Sequence, residues 1–79
     1  MKYRIKNGWL DTGDALWAHY ENGNQTGLVI ARPSQSQIIY HARFYPQNKT
    51  GKDINLFSSR TLKRAKQRAE RLLPKLRKT

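Results

Sequence analysis

The sequence predicts a small α+β domain, with an antiparallel sheet of three to four strands and one C-terminal amphipathic basic helix packed on one face. Two observations carry this. Residues 15–45 hold short β-branched and aromatic runs separated by turn formers, with Asn22-Gly23 between two of them. Beyond Ser59, Leu62, Ala65, Ala69, Leu72, Leu73 and Leu76 recur at helical spacing, among basic residues. Apolar residues three and four apart form one stripe on a helix, whereas strand side chains alternate between two faces.

Tyr3-Arg4-Ile5 reads as a short first strand, stopped by Asn7-Gly8. Asp11-Thr12-Gly13-Asp14 is a turn cluster. Ala15–Tyr20 is a strand, and Asn-Gly after it is a hairpin signal, because both residues tolerate positive φ. Leu28–Ala31 returns, and residues 33–37 form a polar loop. Ile38–Tyr45 is expected to be the longest strand, ended by Pro46. After a second polar loop to Asp53, Ile54–Phe57 is a further short strand or an extended lead-in. Ser58 or Ser59 is the expected N-cap. Pro74 is expected to stop the regular helix near Leu73, because an internal proline lacks an N–H and crowds the preceding turn. Residues 1–79 thus form a single domain, with a β-meander over 1–57, a helix over 58–73 and a basic tail over 74–79.

The 79 residues build only a modest core. With no cysteine, stability must come from packing or from association as a homodimer. No apolar run approaches a bilayer span, and the N-terminus lacks the apolar stretch of a signal peptide, so a cytoplasmic protein without a membrane partner is expected.

Charge is distributed unevenly. Nine Lys/Arg and one Glu fall in residues 60–79, a net +8 of the chain's +11. Arg60, Lys63, Arg64, Lys66, Arg68 and Arg71 lie on the polar side of the helix, with Lys75, Arg77 and Lys78 beyond Pro74. Glu70 is the only acid among them, so few i to i+4 pairs of opposite charge relieve the repulsion. A polyanion would relieve it, and nucleic acid is the default polyanion.

Alternation places Leu16, Ala18, Tyr20, Leu28, Ile30, Ile38, Tyr40, Ala42 and Phe44 on the expected core face. Trp17, His19, Val29, Ile39, His41, Arg43 and Tyr45 fall on the other, where Trp17, Tyr45 and Arg43 would stack on bases or anchor a protein contact. Trp17 and Ile39 would otherwise be a cross-strand pair that only shields the sheet.

Catalytic chemistry is sparsely represented. Asp11 and Asp14 flank a turn glycine, which is ordinary turn chemistry. His19 and His41 are expected to share a sheet face, but without cysteine or a carboxylate there they make no metal site. A metal-free RNA-cleaving pair is the one enzymatic reading they allow. Gly51-Lys52 lacks the upstream glycine of a phosphate-binding loop. No cofactor and no enzyme activity are expected.

Strand, Asn22-Gly23 hairpin, strand, loop and strand, then Phe57-Ser58-Ser59 leading into Leu62–Glu70, resembles small phage and mobile-element domains with a three-stranded sheet and one C-terminal helix. Arm-site-binding domains of tyrosine integrases and plant AP2-type domains share that plan, as do small phage inhibitors of host defence, including anti-CRISPR proteins. The resemblance covers roughly residues 15–73, in pattern only. In the DNA-binding families the sheet enters the major groove, which would make Arg32, Arg43, Trp17 and Tyr45 the sheet-borne contacts. Here the charge is on the helix instead.

The expected function is therefore a non-enzymatic nucleic-acid-binding protein of phage or mobile-element type, contacting phosphates through its basic helix. The alternative is a small protein-binding inhibitor that docks on an acidic surface of a host nucleoprotein defence complex.

Overall fold

The computed structural model describes residues 5–46 and 53–77. Five strands run in sequence order across one antiparallel sheet: β1 (Gly8–Asp11), β2 (Leu16–Glu21), β3 (Asn24–Ala31), β4 (Tyr40–Phe44) and β5 (Ile54–Ser59). One helix, α1 (Leu62–Arg77), crosses β3, β4 and β5 on one face. The class is α+β with a meander and a C-terminal helix, but the three to four strands expected are five.

Both ends of the sheet account for the difference. β1 occupies Gly8-Trp9-Leu10-Asp11, beginning within the Asn7-Gly8 pair expected to stop a strand. Ile5 is not in a strand, and Tyr3 and Arg4 lie outside the described residues. β1 has only two apolar side chains, too few for a periodic signal, and is held by its pairing with β2 from Gly8↔Tyr20 to Asp11↔Trp17. At the other end Ile54–Ser59 is a full strand on β4. β3, with eight residues, is the longest strand, and β4 is shortened to Tyr40–Phe44. Most of the second polar loop, residues 47–52, lies outside the described residues.

The β2–β3 turn is the two-residue Asn22-Gly23, at φ 54° and 82°. The preceding segment braces it. Lys6 carbonyl accepts from Gly23 N–H at 2.9 Å, and Asn7 Oδ1 accepts from Asn22 N–H at 3.2 Å. Further along, the ladder is interrupted between Ala18 and Tyr20, where β3 carries extra residues. Thr26 Oγ1 fills the gap, lying 3.0 Å from His19 Nδ1 and accepting from Leu28 N–H at 3.3 Å.

This register corrects the face assignment of β2. Trp17 lies opposite Ile30, and cross-strand partners share a face. Trp17 therefore packs on the helix side, against Ile30, Ala42 and Ala65, with its ring 5.7 Å from that of Tyr40. His19 is on the same side, buried, and 4.8 Å from the Trp9 ring. His41 is on the opposite side, so the two histidines do not share a face. Ala18, opposite Val29, turns away from the helix yet is still buried.

The core has two connected parts. Ile30, Ala42 and Ala65 form one, while Leu28, Phe44, Ala69 and Leu73 form the other, with Trp9, Leu56 and Phe57 touching both. Ala65 and Ala69 are fully buried, and their small side chains let α1 lie close to the sheet. The expected N-cap shifts. Ser58 and Ser59 belong to β5, and Thr61 carbonyl accepts the first helical bond, from Ala65 N–H at 3.1 Å. Ser59 Oγ instead accepts from Thr61 N–H at 3.3 Å and donates to Thr61 carbonyl at 3.1 Å, bracing the turn into the helix. The helix does not stop at Pro74 but runs to Arg77. Leu76 packs beside the Leu28–Leu73 cluster, and this burial holds the last turn despite the proline.

Candidate nucleic-acid interface

Successive residues of an α-helix are rotated by about 100°, so α1 can be divided into lines. Ala65, Ala69, Leu73 and Leu76 face the sheet. The line farthest from the sheet runs between Gln67 and Arg71, with Pro74 on its β1 side and Arg64 on its β5 side, all four exposed. Two flanks remain, and they differ sharply.

On the flank toward β1 lie Lys66 and Glu70. Trp9 Nε1–H donates to Glu70 Oε2 at 2.7 Å, joining an edge strand to the helix. The helix's single acid is thus held on this side. On the flank toward β5 lie Arg64, Arg68, Arg71 and Lys75, spaced by four, three and four residues, with no acid among them. From Arg64 to Lys75 the row extends about 16 Å along the axis.

Between this flank and β5 runs a groove of about 310 Å³, lined by Ser58, Ser59, Arg64, Gln67, Arg68 and Arg71. Among the described residues β5 is the outermost strand on this side, so one wall is a sheet edge and the other a row of guanidinium groups. Arg68 is held in place: its guanidinium carbon sits 4.6 Å from the centre of the Phe57 ring, a cation–π contact. Ser58 Oγ is 2.8 Å from His41 Nδ1 and is thereby tied to the far face of the sheet.

No family model, curated protein or solved structure matches the chain. The site therefore has to be read from its own chemistry.

The groove brings together three of the candidate basic residues, Arg64, Arg68 and Arg71, and Lys75 continues their row. Arg60 is exposed in the bend between β5 and α1, and Lys63 is exposed on the β1 side of the helix. Lys66, half-buried, is on the opposite flank. Arg77 is the last helical residue, and its side chain, like all of Lys78, lies outside the described residues. Sequence reasoning missed Gln67 as a lining residue, and the edge strand with Ser58 and Ser59 as a wall. Residues 64, 67, 68 and 71 share one ridge spacing, which was the available signal.

The sheet-borne candidates separate from this site. Trp17 is half-buried on the helix side of the sheet, packed against the core, so its placement on the opposite, exposed face is corrected. Arg43 lies on the face away from the helix, 3.5 Å from Asp53. Arg32 folds onto its own loop, donating from Nε to Gln37 carbonyl at 3.4 Å and from a terminal guanidinium nitrogen to Gln35 carbonyl at 3.0 Å. Tyr45 is 45% exposed at the end of β4, next to the Phe44–Ile54 pair, and Ile54 is 40% exposed. Among the described residues no three His, Asp or Glu side chains group as metal ligands, and no helix is long and apolar enough to cross a membrane.

Proposed function

We propose that the chain is a non-enzymatic nucleic-acid-binding protein, acting in the cytoplasm, that holds backbone phosphates with the β5-side flank of α1. The observation that carries this is the convergence of Arg64, Arg68 and Arg71 on one groove, with Lys75 in line and no acid on that flank. Planar guanidinium forks suit phosphate oxygens, and a row fixed on a packed helix loses less freedom on binding than a loose tail. Ala65 and Ala69 anchor the helix between these arginines, so the charges are held in a fixed array.

A salt titration tests the reading. Three or four phosphate contacts give a log–log slope of affinity against salt near −2 to −3 for a single strand, at about −0.7 per contact. Replacing Arg64 and Arg71 by alanine together should flatten the slope by roughly 1.4. Affinity unaffected by salt, or no binding at low salt, refutes it.

A protein partner is the second reading, favoured by the exposed pair Tyr45 and Ile54 at one end of the sheet. Carboxylates of an acidic surface on a nucleoprotein complex would then meet the arginines, as for an inhibitor of phage type. A stoichiometric complex that survives nuclease supports this reading, and one that nuclease dissolves supports the first.

A further inference from the structure

We infer that the sheet face turned away from α1 is a docking surface for a second copy of this chain. The result is a two-fold dimer with its sheets face to face and its two basic helices outward. This is independent of the nucleic-acid reading, since it uses neither the groove nor a phosphate.

The strand register defines the face. Leu10 lies opposite Ala18, Ala18 opposite Val29, and Leu16 opposite Ala31. These five, with Tyr20, point away from the side that holds Trp17 and Ile30. They form one apolar patch across β1, β2 and β3. Ala18 is buried, and the other five are half-buried. The helix packs on the opposite face, over β3, β4 and β5, so among the described residues no strand or helix covers this patch.

Charge decides what fits it. Arg43 is the one Lys, Arg, Asp or Glu that the five strands turn to this face, and its guanidinium lies 3.5 Å from the Asp53 carboxylate. The face is therefore close to neutral in a chain of net +11. A partner selected by charge is steered to the helix side, and this face is left for a neutral, apolar surface. A second copy presents such a surface and carries its excess charge on the far side of its own sheet.

The same charges disfavour other ways of joining two copies. Pairing along the β5 edge brings two rows of Arg64, Arg68 and Arg71 together. The β1 edge is only four residues long. Face to face, the sheets lie about 10 Å apart with each helix axis about 10 Å beyond its own sheet, so the two helices are about 30 Å apart. That is several times the Debye length of about 8 Å at 0.15 M salt. The area is adequate. Five strands about 4.8 Å apart, rising about 3.3 Å per residue, make a face of roughly 24 by 17 Å, and two such faces with their side-chain relief bury on the order of 1,000 Å². This is the lower bound for a specific interface, so the dimer is weak and concentration-dependent.

Sedimentation equilibrium on nuclease-treated protein, from about 10 μM to about 1 mM, tests this. A monomer–dimer equilibrium should appear. Its dissociation constant should fall about tenfold or more between about 0.05 and 0.5 M sodium chloride, as repulsion between the two basic chains is screened. Leu16→Lys should raise that constant about tenfold or more, because it sets like charges into both halves of the interface. Gln67→Lys adds the same charge on the helix side and should change it by less than about threefold. A thermal melt of each variant establishes that it is folded. The chain has no cysteine, so Ala31→Cys and Gln67→Cys each supply a single thiol. A bismaleimide should join Ala31→Cys chains in pairs and leave Gln67→Cys chains single, a result that stands even where Leu16→Lys fails to fold. A monomer throughout the concentration and salt range overturns the proposal. So does a dimer that Leu16→Lys and Gln67→Lys weaken equally, or one cross-linked through Gln67→Cys in place of Ala31→Cys. Association present only before nuclease treatment also overturns it, since a bridging polyanion would then be what holds the copies together.

Discussion

Ala15 sits at φ 56°, in the left-handed region that costs an ordinary residue about 1–2 kcal/mol. Its position is forced by the bonds around it. Thr12 N–H and Oγ1 both donate to Leu16 carbonyl, at 3.0 and 2.9 Å, and Ala15 carbonyl accepts from Arg32 N–H at 2.9 Å. Glycine removes the strain but has more freedom to lose on folding. Ala15→Gly should therefore raise stability by about 0.5 kcal/mol, read as an increase of a few degrees in the thermal midpoint. Gly27 is the converse. It has φ 98°, and a Cβ there would collide with Tyr45 carbonyl oxygen, while its own carbonyl accepts from Tyr45 N–H at 2.8 Å. Gly27→Ala should cost at least about 2 kcal/mol, measured by urea denaturation. A smaller loss would mean that the β3–β4 ladder shifts at little cost.

At the scale of elements, the helix continuing through Pro74 is the feature with the clearest consequence. Proline removes the N–H that would bond Glu70 carbonyl, and the burial of Leu73 and Leu76 helps to hold the last turn. Pro74→Ala should add about 1 kcal/mol or more and increase the helical circular dichroism signal. Leu73→Ala should cost about 2–4 kcal/mol and fray the same turn. The core face of α1 was legible because Ala65, Ala69, Leu73 and Leu76 repeat regularly. Its end was not, because a local rule about proline was outweighed by tertiary packing. The face of β2 was legible in principle. A two-residue turn at Asn22-Gly23 makes each pair of opposed residues sum to an odd number, which sets Trp17 with Leu28 and Ile30 rather than with Val29. The interruption near Ala18 adds two residues and keeps that parity. β1 was not legible, because Trp9 and Leu10 alone carry no period, and its pairing partner lies beyond the turn. The groove was not legible either, since Phe57 under Arg68 depends on where the helix crosses the sheet.

For the whole molecule, a net charge of +11 on 79 residues makes the compact state repel itself. Added sodium chloride should therefore raise the thermal midpoint of the free protein, most between low salt and about 0.15 M, where the Debye length falls to about 8 Å. A midpoint that stays flat or falls with salt would mean that the array is already neutralised within the fold. The same residues that close the core place the arginines: Ala65 and Ala69 are fully buried between Arg64, Arg68 and Arg71. Unfolding thus dismantles the array and the core in one step. Folding and ligand capture are then linked equilibria, and whatever occupies the groove draws the chain toward its folded state. At a ligand concentration one hundred times the dissociation constant, this linkage is worth about 2.7 kcal/mol, or on the order of 10 °C in melting temperature for a domain of this size. The melting temperature then becomes a meter of occupancy, able to rank an unbiased set of strands, duplexes and acidic polymers.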